Sequence, residues 1–166
     1  MPVLTMRRGK AAELRVMAEL TRHGLDVYAP LIDDQGIDLI VRAKDEHLKV
    51  RYWEIQVKSV EGYGRVMGLR HESISAFAGN YILIINYHFN ERDEYLYLLQ
   101  KQALKLVPPD APSTNLCLSK SERSYYYEKK NQTLDNLADR MSSPKFSYYI
   151  AHPPGYKGMK PKAIQC

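Results

Sequence analysis

The chain has 166 residues, 45% hydrophobic and 26% charged, with a formal net charge of +5. That length and balance fit one globular domain and exclude wholesale disorder. The longest apolar run, Tyr81 to Tyr87, falls far short of the roughly 20 residues a membrane helix requires. Met1 to Lys10 lacks the apolar core of a signal peptide, so the expectation is a cytoplasmic protein. Cys117 and Cys166 are too few and too far apart for a zinc site or a disulfide framework. Charge is uneven: residues 1–115 hold 15 Lys/Arg and 15 Asp/Glu, whereas residues 116–166 hold 9 and 4. A basic last third points to a polyanion, most simply nucleic acid; a solubilising tail is the plainer alternative.

In chain order, Gly9 to His23 reads as the first helix, closed by Gly24 at the C′ position. Val16, Met17 and Leu20 share an apolar stripe, and Glu13 falls on the same stripe. Glu13 therefore either meets a partner inside or sits exposed in the first turn. A short strand (Leu25 to Tyr28) and a loop (Pro30 to Gly36) lead to a strand from Ile37 to Arg42. Lys44-Asp45-Glu46 turns the chain back into a strand from Lys49 to Lys58, a hairpin. Ser59 to Arg70, with three glycines, reads as a mobile loop carrying Arg65 and Arg70. Glu72 to Ala78 follows as a helix.

Tyr81 to Tyr87 is a near-continuous apolar strand, the pattern of a strand covered on both faces. Glu94 to Leu99 is a further strand and Lys101 to Leu106 a helical turn. The Pro108 to Ser113 stretch is the clearest break. It divides a core, residues 1–107, from a basic, Tyr-rich C-terminal extension, residues 108–166. There Tyr125 to Tyr127 reads as a strand and Thr133 to Met141 as a helix with Leu134 and Leu137 inward. Pro153 to Cys166 has a composition expected to order poorly.

The chemistry centres on two strands. Side chains alternate along a strand, so Glu54, Gln56 and Lys58 face one way and Trp53, Ile55 and Val57 the other. Asp38 lies on the preceding strand, which brings a carboxylate, an amide and an ammonium together. Phosphodiester hydrolysis needs a placed water and charge neutralisation at the leaving oxygen. Mg²⁺ takes hard oxygen ligands and retains water. Asp38, the Gln56 amide oxygen and the Val57 carbonyl would hold such an ion, and Lys58 would orient the water. A plain amphipathic strand with a solvated face is the bland reading of the same row.

The order of a helix with Glu13, a strand with Gly36-Ile37-Asp38 and a hairpin strand ending in Gln56-Val57-Lys58 resembles the PD-(D/E)XK nuclease superfamily. It is most similar to Holliday-junction-resolvase-like, Mrr-like and homing-type members. The resemblance covers about Gly9 to Ser59, with a following helix and strand to Tyr87. It implies an α/β, restriction-endonuclease-like core, with a central mixed β-sheet flanked by helices and, here, a C-terminal extension. It also implies a Mg²⁺- or Mn²⁺-dependent endonuclease acting on DNA as a homodimer or homotetramer, with Glu13 serving a second ion or its water. Gln56 departs from the usual acidic residue. Glu54, two positions earlier on the same face, either compensates as a ligand to a metal sitting lower on the strand or buttresses Lys58, the second being the preferred reading.

Arg65, Arg70, Lys129, Lys130 and Lys145 are the expected nucleic-acid contacts, with tyrosines interleaved as stacking surfaces. Gly62-Tyr63-Gly64 is too short for a phosphate loop, and no pair of histidines has metal-ligand spacing. RNA as the target, and a non-catalytic binding or assembly role on a nuclease scaffold, stay open at this stage.

Overall fold

A computed structural model describes residues 2–32, 36–44, 48–64, 66–77, 80–90, 92–107, 109, 114–116, 118–124 and 132–141. Helix α1 (Pro2–Arg22) starts earlier than its apolar stripe. Ala12, Val16 and Leu20 recur at four-residue spacing and are buried, so packing of one face holds the helix. It stops at Gly24, whose φ of +83° an L side chain rarely adopts. Gly24 N–H donates to the Thr21 carbonyl (2.9 Å) and Leu25 N–H to that of Leu20 (3.2 Å). This is the Schellman closure, with Leu20 and Leu25 together in the core behind it.

Strands β1 (Asp26–Tyr28), β2 (Leu39–Lys44) and β3 (Val50–Glu61) form an antiparallel meander. The chain then passes through β4 (Val66–Leu69) and α2 (His71–Ser75) to β5 (Tyr81–His88), which runs parallel to β3. Strand β6 (Asp93–Leu99) returns antiparallel to β5, giving a five-stranded mixed sheet in the order β1-β2-β3-β5-β6. Helix α3 (Gln100–Leu106), β7 (Thr114–Leu116), α4 (Lys120–Ser124) and α5 (Leu134–Met141) complete the described elements. The architecture is α/β, a mixed sheet flanked by helices, as the sequence leads one to expect.

The sheet buries both faces. On one, α1 and α5 cover Leu39, Val41, Trp53, Ile55, Val57 and Ile84. On the other, Ile74 of α2, Ala103 of α3 and the β4 side chains Val66 and Leu69 cover Tyr81, Leu83, Ile85 and Leu98. Strand β5 lies between both layers, which explains an apolar run interrupted only at the buried Asn86 between Tyr81 and Tyr87.

Two readings change. Ser59 to Arg70 is not a loop throughout: β3 continues to Glu61, and Val66–Leu69 pairs with β7. Val66 and Leu69 are each 1% exposed, so apolar anchoring outweighs the three glycines. Nor does the core stop at 107, because Leu118, Leu134, Leu137, Ala138 and Met141 are buried in it. Gln132 ties this later segment to the sheet. Its carbonyl accepts from Tyr97 N–H (3.1 Å), and its side-chain amide donates to the Tyr97 carbonyl (2.6 Å). Edge strand β6 is thereby covered. Arg65, Tyr125 to Tyr127, Lys129, Lys130, Lys145 and Pro153 to Cys166 lie outside the described residues. Among the described residues, no helix is long and apolar enough to cross a membrane.

Candidate active site

Strand β3 alternates as its sequence dictates: Trp53, Ile55 and Val57 are buried, while Glu54, Gln56 and Lys58 are half-exposed on the opposite face. The β2–β3 ladder ends at the Leu39–Ile55 pair, which sets Asp38 next to Gln56. Asp38 N–H donates to the Ile55 carbonyl (2.9 Å). Its carboxylate Oδ2 then accepts the Val57 N–H at 2.6 Å. The side chain thus takes the position of the next ladder acceptor, a charge-assisted bond that fixes the carboxylate against β3. In an extended residue the C=O leaves by the same strand edge as the N–H. The Val57 carbonyl therefore emerges on the Asp38 side.

Gln56 is held from two directions. Its Oε1 accepts the Tyr81 hydroxyl at 2.7 Å. Its Nε2 faces Gly36, where an added Cβ would come within 3.0 Å. Gly36 has φ +72°, so this close approach sits on backbone that also favours glycine. Tyr81 is 1% exposed. Burial first, and the nearby Asp38 charge second, push its hydroxyl far above the ordinary tyrosine range. Phe77 stacks on it, with ring centroids 5.0 Å apart and planes at 16°.

Glu54, Gln56 and Lys58 line one wall of an open cleft of about 780 Å³. Arg70, Ser73, Phe77 and Asn80 line it from the segment between β4 and β5, and Gly36 lies at its border. Among the described residues, neither the Glu54 nor the Lys58 side chain has a hydrogen-bond or ion-pair partner. Lys58 and Arg70 carry positive charge into the cleft, Gln56 and Ser73 carry neutral donors, and among the described residues Glu54 is the one carboxylate in its lining.

Of the residues singled out in the sequence, Gln56, Lys58 and Arg70 line the cleft; Asp38 stands beside Gln56, bonded to the Val57 N–H, and is not among the residues that line it. The fold does not bring Glu13 there. Helix α1 packs on the sheet face opposite the Gln56 row, and Glu13, with 18% of its side chain exposed, pairs with Lys10 at 2.6 Å. That i,i+3 partner answers the need of a carboxylate beside an apolar stripe.

Sequence reading missed Tyr81 and Phe77, which read as ordinary core aromatics. Their relation to Gln56 depends on the parallel β3–β5 register, where Glu54 pairs with Tyr81. It also missed that His23 meets Glu19 and Asp135, three groups whose ligand atoms lie within 4.8 Å of one another. Glu19 and His23 share a helix, but Asp135 is 112 residues away from His23. The Arg22 hydrogen bond holds the Glu19 carboxyl below the usual range, so that carboxylate already serves an ion pair. No protein-family model and no curated protein matches this chain.

Proposed function

We propose that this protein is a Mg²⁺- or Mn²⁺-dependent endonuclease that hydrolyses phosphodiester bonds in DNA. One observation carries the reading: the Asp38 carboxylate is bonded to the β3 backbone beside Gln56 at the end of the β2–β3 ladder, and Gln56 and Lys58 line a cleft that Arg70 also lines. The order of these residues in the sequence and the α/β sheet support the resemblance to PD-(D/E)XK nucleases.

The donor set suits both parts of such a substrate complex. The Asp38 carboxylate and the Val57 carbonyl offer two hard oxygens on one strand edge, which fits a divalent ion that keeps several waters. Such an ion would neutralise charge on the scissile phosphate and lower the pKa of a bound water. Lys58 approaches the phosphate from the same sheet face, where its ammonium orients the attacking water and offsets charge on the phosphorane-like transition state. Arg70 binds a neighbouring phosphate through its planar fork of donors. Cutting both strands of a duplex or junction requires two such sites, hence a homodimer or homotetramer. The cytoplasm is the expected compartment.

A specific observation favours a second reading. The Gln56 oxygen is engaged by Tyr81, and Glu13 lies away from the cleft. A metal then has the Asp38 carboxylate, with Glu54 as the further acidic side chain on the same face of β3, and a nucleic-acid-binding or assembly protein on a nuclease scaffold follows if that is too little.

Supercoiled plasmid, a four-way DNA junction and matched RNA, each incubated with Mg²⁺, Mn²⁺ or EDTA, separate these readings. Metal-dependent DNA cutting supports the endonuclease. Faster cutting of RNA reassigns the substrate. Binding of DNA with no cutting and no measurable metal uptake favours the scaffold.

A further inference from the structure

Gln56 is the residue at which this site departs from the acidic pattern it resembles, and its surroundings define what the amide offers. The Tyr81 hydroxyl comes from beneath, from a side chain with 1% exposure, and reaches Oε1 at 2.7 Å. Protonated and shut off from water, that hydroxyl is a permanent donor, so the amide oxygen turns inward to it. The amide nitrogen then turns outward to Gly36, at the border of the cleft. Room exists for it because Gly36 has no Cβ; a methyl group there would stand 3.0 Å from Nε2.

Phe77 completes the support. It lines the cleft and stacks on Tyr81, so Tyr81 is packed from the α2 side as well as by the sheet.

We propose that Gln56 is a substrate-binding hydrogen-bond donor, presenting its NH₂ group to a phosphate oxygen of the bound nucleic acid, and that Tyr81 is the positioning residue that fixes it so. This rests on the endonuclease reading and refines it. The cation is held by Asp38 and the strand carbonyl without the Gln56 oxygen, and the phosphate meets three donors, Lys58, Arg70 and Gln56. A neutral amide at this position is then selected for its N–H bonds, which a carboxylate lacks.

The test uses the full-length chain, with Mg²⁺ alone followed by titration calorimetry. Binding of a fluorescently labelled four-way DNA junction in Ca²⁺ is followed by anisotropy. Gln56→Met removes donor and acceptor at similar volume; Tyr81→Phe removes only the hydroxyl that orients the amide. In Gln56→Met, DNA affinity falls about tenfold, as loss of a hydrogen bond to a charged group predicts, while Mg²⁺ affinity stays within about threefold of the parent. Tyr81→Phe raises KM for cleavage several-fold with kcat retained, a split that simple loosening of the fold would not give.

Weakened Mg²⁺ binding in Gln56→Met, or tightened Mg²⁺ binding in Tyr81→Phe, overturns the assignment, because the oxygen is then a metal ligand. Unchanged DNA affinity in Gln56→Met overturns it too. A parent protein that binds no DNA removes the endonuclease reading itself, an outcome distinct from either. If Tyr81→Phe fails to fold, Gln56→Met decides alone.

Discussion

The two faces of the central sheet are made from the same strands and have opposite chemistry. Toward α1 and α5, β3 presents Trp53, Ile55 and Val57 to a closed apolar layer. Toward α2 it presents Glu54, Gln56 and Lys58, and the covering layer leaves an open cleft above them. The apolar layer on that second side gathers instead around β5 and β6, so polar β3 side chains stand beside a hydrophobic core without being sealed in it. One face of β3 contributes stability, and the other carries the proposed chemistry. Variants on the two faces should therefore separate in their effects.

The largest effect is expected from Lys58→Ala. DNA cleavage should fall by about 10²–10⁴-fold, while the urea midpoint hardly moves, because Lys58 has no partner among the described residues. Full activity in that variant would remove Lys58 from the mechanism. The closed face should behave in the reverse way. Leu137 of α5 is fully buried, and Leu137→Ala should destabilise by about 2–5 kcal/mol. Metal affinity, measured by calorimetry at a temperature where the variant is folded, should be unchanged. A small stability loss there would mean that α5 is peripheral to the fold.

Gly36→Ala tests the join between the faces. Its φ of +72° should cost about 1–2 kcal/mol in an L-residue. The new methyl would also press on Gln56 Nε2, so DNA affinity should drop along with the melting temperature. Retained affinity would show that the amide has other room.

Alkaline pH offers a gentler probe. Burial raises the hydroxyls of Tyr81 and Tyr87 on the cleft side and of Tyr97 on the α1 side. Protons are then held more tightly in the folded state, so the stabilisation is complete below the unfolded pKa and is lost above it. Stability should decline above about pH 10, by up to about 1.4 kcal/mol per pH unit for each such residue. Tyr81→Phe should flatten that slope in urea titrations. The smallest effect belongs to Glu13→Gln. Its partner is Lys10 on the same helix turn, so stability should change by less than about 0.5 kcal/mol, and cleavage should match the parent. A large loss of cleavage would place Glu13 in the mechanism despite its distance from the cleft row.

Much of this layout was legible in the chain because period-2 alternation decides which β3 residues share a face. The strand that begins just after Asp38, the hairpin and the doubly covered β5 followed from local pattern and length. Gly24 was readable as a helix stop because its positive φ has few other tenants. What local pattern does not encode is partnership at long range. Glu13 sits on an apolar stripe in projection, but which sheet face that stripe meets depends on topology. Tyr81 is adjacent to Gln56 only through the parallel pairing of β3 with β5. The same holds for Leu134 and Leu137: their inward spacing was visible, yet the proline-rich stretch before them suggested a boundary that the shared core crosses. Val66 and Leu69 illustrate the remaining kind of miss. Glycines flanking two apolar anchors read as a loop until a strand more than 40 residues on, β7, supplies the pairing.

The proposed metal-dependent phosphodiesterase site on the Gln56 face of β3 is built on Asp38. Plasmid and junction cleavage by Asp38→Asn, with Mg²⁺ and with EDTA, tests it most directly, read beside the variant's urea midpoint. Asparagine keeps an acceptor for the Val57 N–H and removes the charge that a cation requires. The parent should cut only with metal, and the variant should fold like the parent and not cut. Undiminished Mg²⁺-dependent cleavage by a folded Asp38→Asn would contradict the Asp38 assignment.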